Sequence, residues 1–249
     1  MDSKLQVGVI FLGTSNYTQF LPAWVQSVCA NLLVNTDRHL VLLTDDHERS
    51  EQTALEFADL PIQSYHVDHE EWPLVTLNRY KNLLSYSEQL LDLDLLVYLD
   101  ADMSVVKDVD LNDLLGGKRL FSVTHPGLCI GDLGDVEQNP QSCAYISNRD
   151  PKVSAYCQGC LWGGYKPFIW DLIATCAEWT QQDWDRKIIA KWHDESYLNR
   201  YMYEHRSDKY LAPPSFAYPE KWKLDFEPVI IHRHKLQTIF PRFPGGVVS

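Results

Sequence analysis

The stretch Leu95-Leu96-Val97-Tyr98-Leu99-Asp100-Ala101-Asp102-Met103 runs from apolar and aromatic residues straight into two carboxylates separated by one small residue. Such a run reads as a strand covered on both faces, and in open α/β sheets ligands collect beyond the carboxyl ends of the strands. Asp100 and Asp102 fall there. If the chain stays extended, positions i and i+2 point to the same side, so two hard oxygen donors can share one cation. Mg or Mn suits such donors and commonly takes substrate phosphates as its remaining ligands. The simpler reading is a helix cap with a solvated turn, and Asp-x-Asp alone does not separate the two.

Working upstream, residues 6–13 form a β-branched run that stops at the turn cluster Gly13-Thr14-Ser15-Asn16. Thr18 can cap a helix carrying Phe20, Trp24, Val25, Val28 and Leu32 at helical spacing. Residues 39–44 give a second strand, and Asp45-Asp46 after it reads as the cap of a helix near residues 48–57. A third strand follows at residues 62–67. Trp72-Pro73 then opens a long helix with Leu77, Tyr80 and Leu84 on one face and Arg79 offset. Strands alternating with helices predict a parallel sheet with right-handed crossovers.

Downstream the periodicity weakens. Residues 105–115 read as a short strand and turn, 119–124 as a strand, and 127–150 as an irregular stretch of the kind that is usually functional or mobile. Residues 155–162 resume strand character, Gly163-Gly164 breaks it, and residues 167–179 form an aromatic-rich amphipathic helix.

A chain of 249 residues, 45% hydrophobic and 12% aromatic, can bury a substantial core. Its net charge of −12 argues against a general nucleic-acid binder, and an anionic substrate needs a local cation. The longest N-terminal apolar run, residues 7–12, is far too short to span a bilayer. The expectation is a cytoplasmic chain, or one peripheral to a membrane. Six cysteines are too few for a disulfide scaffold, and Cys157-x-x-Cys160 lacks a second Cys or His pair at zinc-site spacing, so buried reduced thiols are expected.

A second acidic motif, Trp192-His193-Asp194-Glu195-Ser196, precedes Tyr197, Leu198, Tyr201 and Met202, the buried face of a helix. Carboxylates in a first helical turn are favoured by the dipole, so a charged N-terminus accounts for them structurally, while Trp and His beside them are costly for a mere cap.

With these blocks the sequence resembles glycosyltransferase family 6, the retaining group of the blood-group A and B transferases and the α-1,3-galactosyltransferases. The resemblance is carried by residues 192–199, by Tyr98-Leu99-Asp100-Ala101-Asp102, by residues 139–146 and 156–164 between them, and by Trp72-Pro73 with Thr76, Leu77 and Arg79 upstream. It implies a GT-A fold, a Rossmann-like nucleotide-binding mixed sheet merged with an acceptor-binding half. The halves would be about residues 1–115 and 116–227, with a basic tail at 228–249. The lack of an anchor is similar to the bacterial or phage-type members, and both aspartates of the metal motif are kept, which implies Mn or Mg dependence.

The resemblance also implies residue roles. The donor is UDP-galactose or UDP-N-acetylgalactosamine, with Leu12, Gly13, Thr14, Tyr17 and Arg79 at the nucleotide and Asp100, Ala101 and Asp102 at the metal and diphosphate. Glu195 is the candidate catalytic carboxylate and Asp194 holds the donor sugar's hydroxyls. Gln158, Gly159 and Cys160 line the donor sugar, where Cys160 leans toward galactose because it leaves less room than glycine near C2. Trp192, His125 and Ser142 face the acceptor, an oligosaccharide or glycolipid galactoside joined in α-1,3 linkage. After His125-Pro126, where vertebrate relatives carry an acceptor-binding tryptophan pair, this chain has Gly127-Leu128, so its acceptor subsite must differ. His232-Arg233-His234-Lys235, followed by Arg242, supplies the local cation, with Arg233 and Lys235 over the diphosphate and Gly245-Gly246 ending a mobile lid. Competing readings are a family 8-like retaining transferase, against which the Trp-His-Asp-Glu-Ser block argues, and a non-catalytic glycan- or nucleotide-binding protein.

Overall fold

Residues 7–11 are all buried along β1 (Gln6–Leu12), which places that strand inside a sheet rather than at its edge. In the computed structural model, which describes residues 5–128, 136–147 and 155–235, β1 pairs in parallel with β2 (Asp37–Thr44) on one side and with β4 (Leu95–Leu99) on the other, and β2 pairs with β3 (Ile62–His66). Helices α1 (Leu21–Asn31) and α2 (His47–Glu56) connect the first strands, as the alternation predicted. Asp46 caps α2 by accepting the Arg49 N–H at 3.0 Å, which confirms its structural reading.

Beyond β4 the sheet changes direction. The strand β7 (Cys157–Tyr165) runs antiparallel between β4 and β6 (Leu120–Thr124), and β8 (Lys209–Ala212) closes that edge parallel to β6. The seven strands follow the order β3-β2-β1-β4-β7-β6-β8. One face buries Phe11, Leu40, Leu42 and Val97 against Trp24, Val25 and Val28 of α1. The other buries Ile10, Val41, Leu96 and Tyr98 with Tyr80 and Leu83, with Ile169, Leu172 and Ile173 of α6 (Lys166–Asp185), and with Tyr197 and Tyr201 of α7 (Asp194–Glu204). A small second sheet joins β5 (Met103–Val105) to β10 (Ile230–His232) and β9 (Tyr218–Pro219).

Three local expectations are corrected. The segment after Trp72-Pro73 is two short helices, α3 (Leu74–Leu77) and α4 (Arg79–Leu84), that meet at Asn78, whose side-chain amide donates to both Glu70 carboxylate oxygens at 2.7 and 2.9 Å. Leu84 is accordingly exposed, and Leu83 takes the buried position. Residues 105–115 are a strand end followed by α5 (Leu111–Leu115), started by an Asp110 capping box. Gly163 and Gly164 do not break β7. They let it lie close between its neighbours, since a Cβ on Gly163 would sit 2.2 Å from the Leu96 carbonyl oxygen and one on Gly164 2.6 Å from that of Arg119. Cys129 and the parts of the irregular stretch at residues 129–135 and 148–150 lie outside the described residues, as do Arg242 and Gly245-Gly246. Among the described residues no helix is long and apolar enough to cross a membrane.

Candidate active site

The carboxyl ends of β1 and β4 open into a cavity of about 320 Å³ lined by Leu12, Gly13, Thr14, Tyr17, Arg79, Asp100, Ala101, Asp102 and Lys235. All nine are residues that the family resemblance puts at the nucleotide. Gly13 is needed because a Cβ there would meet the Phe11 ring at 2.7 Å and Ala101 at 3.2 Å. The wall is completed by residues the sequence did not single out, among them Val67, Asp68 and Glu70. Beside it, His69 Nδ1 lies 2.9 Å from the Thr14 hydroxyl.

Asp100 and Asp102 do not sit on an extended chain. The backbone turns, with the Met103 N–H donating to the Asp100 carbonyl at 3.1 Å, so the i, i+2 argument fails although both residues still line one cavity. The Asp100 N–H donates to the Cys160 carbonyl at 2.9 Å, and its Oδ1 accepts the Tyr98 hydroxyl at 2.7 Å. Asp102 is buried, with Oδ2 3.3 Å from His232 Nε2 and 3.7 Å from Lys235 Nζ. Burial alone would raise its carboxyl; His232, then Lys235, outweigh burial and hold it down at about 2. Antiparallel pairing of β10 with β5, His232 opposite Met103, brings His232 and Lys235 back to Asp102. Lys235 Nζ also stands 5.1 Å from the Tyr17 ring centre.

Arg79 joins the two acidic motifs. Its Nη1 is 2.9 Å from Asp194 Oδ2 and 3.1 Å from the Gly159 carbonyl, its Nη2 is 3.2 Å from Asp100 Oδ1, and its guanidinium lies over Tyr98 at 4.9 Å. Its side chain is only 13% exposed, which rules out a surface salt bridge. Burial opposes its charge, but Asp100 and Asp194 more than offset that, so it stays a cation.

Asp194 and Glu195 open α7 after His193, whose backbone sits at φ 48° and ψ −127°. A non-glycine residue there is strained by about 1–3 kcal/mol, and the surroundings hold it: Thr76 Oγ1 is 2.9 Å from His193 Nδ1 and Trp72 meets the imidazole edge-on. The Glu195 carboxylate accepts the Tyr156 hydroxyl on Oε1 and the Gly159 N–H on Oε2, each at 2.6 Å. A Cβ at Gly159 would come within 3.2 Å of Oε2, so the glycine permits this approach. Burial pushes Glu195 up to about 7 against those two hydrogen bonds, and pushes Asp194 up to about 6 against Arg79. Asn199 fixes α7 on β7 by bonding the Cys157 N–H and carbonyl, each at 2.8 Å. Gln158 Nε2 is 3.4 Å from His232 Nδ1, while its buried Oε1 has no hydrogen-bond partner among the described residues.

Two candidate side chains are taken up by structural partners. Ser142 donates to buried Asp183 at 2.6 Å, alongside the Cys143 N–H and the Tyr197 hydroxyl, which anchors the 136–147 segment on α6. Arg233 is taken up by Ser104 at 3.0 Å and Glu220 at 2.9 Å. His125 meets Tyr156 edge-on, with ring centres 6.0 Å apart. Trp192 is partly exposed just ahead of α7. All described cysteines are free, and burial raises the Cys157 and Cys160 thiols, as expected of inert reduced groups. The sequence did not single out Tyr156 or His232 for these contacts; only their chemical type, a phenol and an imidazole within the motif blocks or basic tail, pointed to them.

A parallel half-sheet continued by an antiparallel strand, with one acidic turn at the sheet's ligand end tied by arginine to a second on a helix start, defines a GT-A-like glycosyltransferase. The family model "Glycosyltransferase family 6" matches residues 1–232, and the chain belongs to that family. It is 26% identical over 232 residues to the O-antigen biosynthesis glycosyltransferase WbnI of Escherichia coli, covering 92% of this chain and 94% of that protein. It is 27% identical over 215 residues to the histo-blood group ABO system transferase 2 of Rattus norvegicus, covering 83% of this chain. With the globoside alpha-1,3-N-acetylgalactosaminyltransferase 1 of Gallus gallus it shares 24% over 221 residues, covering 86% of this chain. The chain spans 62% of the length of each of these two animal relatives.

Proposed function

We propose that the chain moves galactose or N-acetylgalactosamine from a UDP-sugar to a galactoside acceptor in α-1,3 linkage, with retention at the anomeric carbon. The observation that carries this is Arg79, one buried cation pairing with Asp100 at the nucleotide cavity and with Asp194 beside Glu195. It ties a leaving-group subsite to a carboxylate subsite.

The donor set suits a hard divalent ion, Mn or Mg, because Asp100 and Asp102 both line the cavity with carboxylates. Among the described residues no group of three His, Cys, Asp or Glu is assembled, so substrate phosphate and water would complete the shell. When bound, such an ion offsets the charge of a departing diphosphate. Lys235, beside Asp102 and Tyr17, adds a protein cation on the same side. Asp194, oriented by Arg79, would accept hydroxyls of the donor sugar. Glu195, held by Tyr156 and Gly159, faces the task of stabilising the positive anomeric carbon or of attacking it. Gln158 Oε1, buried and without a partner among the described residues, is suited to accept a hydrogen bond from the donor's C2 substituent.

The test is a panel of UDP-hexoses assayed for UDP release with and without a galactoside acceptor, in Mn, Mg or EDTA. Acceptor-stimulated release from UDP-galactose or UDP-N-acetylgalactosamine, lost in EDTA, is expected. No turnover with any donor, or full activity in EDTA, would sink the reading.

A further inference from the structure

Trp222 stands on the turn between β9 and β10, with its N–H donating to the Pro219 carbonyl at 3.0 Å and its carbonyl accepting the Tyr218 hydroxyl at 3.0 Å. Held at its backbone on both sides, it still leaves 42% of its surface bare. A solitary exposed aromatic is ordinary on a protein surface, but this one has a specific neighbour. A Cβ built on Gly127 would lie 3.1 Å from Trp222 Cη2 and 3.2 Å from His125 Cε1, so the indole and the imidazole converge there and a side chain would have to press one of them aside by a few tenths of an ångström.

From that point contacts lead to Glu195. The Gly127 N–H donates to His125 Nδ1 at 3.0 Å, and the His125 ring meets Tyr156 edge-on at 77°. The Tyr156 hydroxyl then donates to Glu195 Oε1 at 2.6 Å. The segment around Trp222 carries Glu220, Asp225 and Glu227 against Lys221 and Lys223, with no excess of positive charge, which favours an uncharged ligand over an anion. A flat, partly bare indole with a fixed backbone offers rigid apolar area at little entropic cost, which suits the C–H face of a pyranose.

We propose that Trp222 is a specificity-determining platform on which a pyranose ring of the acceptor stacks, with Gly127 kept free of a side chain so that the platform stays open. The proposal rests on the glycosyl-transfer reading above for its kinetics, while its binding is measurable without turnover. In saturation-transfer NMR of the full chain with lactose, wild type should saturate the sugar ring protons, Trp222→Ala should lose most of that signal, and Trp222→Phe should keep it. In the transfer assay Trp222→Ala should raise the acceptor KM about tenfold, as removal of one aromatic anchor does, while donor KM moves less than about twofold. Gly127→Val, which crowds the platform from beneath, should act in the same direction. Equal lactose saturation and equal acceptor KM in wild type and Trp222→Ala overturn the proposal, as does a wild type that saturates no galactoside. If Trp222→Ala melts before the assay temperature, Trp222→Leu against Trp222→Phe carries the comparison, with loss expected only in the leucine variant. Absence of UDP release from every UDP-hexose would defeat the transfer reading and leave the NMR result to decide the platform.

Discussion

Glu195 is pulled two ways, upward by burial and downward by hydrogen bonds from Tyr156 and Gly159, with the balance at about 7. If the ionised form does the work, kcat/KM should rise with pH through an acid limb near that value. Tyr156→Phe removes a bond that favours the carboxylate, so the limb should move to higher pH; a limb that stays put or moves down removes Tyr156 from this role. The same shifts bear on stability. Folded Asp194 and Glu195 sit above their ordinary values of about 4, so their favourable contribution is present below that pH and is lost as pH rises through about 6 and 7. Glu195→Gln should therefore show a smaller fall in Tm between pH 5 and 8 than wild type. The same variant should cut transfer about a thousandfold while UDP binding by calorimetry stays within about twofold; transfer within tenfold of wild type would cost Glu195 its place. The carboxylates themselves were legible in the sequence because Asp-x-Asp ends an apolar run and Trp-His precedes Asp-Glu. What holds them was not, since Arg79 meets Gly159 across 80 positions and His232 meets Asp102 across 130.

At the level of elements, the strand-helix alternation through β4 was readable from periodicity, and β7 was half readable. Its glycines looked like a stop because composition does not distinguish a turn from a close approach between strands. The 2.2 Å from a Gly163 Cβ to the Leu96 carbonyl makes a sharp prediction, because backbone in a central strand cannot give way as a side-chain tip can. Gly163→Ala should cost about 3 kcal/mol and lower Tm by about 6–12 °C. A Tm within 2 °C of wild type would mean that the strands separate easily there. The strained His193 and the break at Asn78 were hidden for another reason. Each involves side chains from other segments, Thr76 and Trp72 at the one and Glu70 at the other, which a local pattern does not reveal.

Across the whole molecule, the basic tail was recognisable as the counterpart of an acidic chain, but its placement depends on the small sheet. Ile230 is fully buried in β10, so removing everything after Val229 would damage the fold together with the site. A chain ending at Arg233 keeps β10 and removes Lys235. It should melt within a few degrees of the full chain yet bind UDP about tenfold more weakly, as loss of a charge-assisted contact predicts. Unchanged UDP affinity would leave Lys235 as a solvated base.

The pairing of β10 with β5 also has a consequence for the order of biosynthesis. The strands that open the cavity at Asp100 and Asp102 lie within the first 105 residues, whereas the partners of the Asp102 carboxylate arrive only with residues 232 and 235. Closing so long a loop adds entropy that local contacts do not recover until late, so that the second sheet is expected to dock after the first has formed. Until that sheet docks, the amino-terminal half would present Asp102 without His232 and Lys235, so that any nucleotide affinity that depends on them would mark a chain translated at least as far as Lys235.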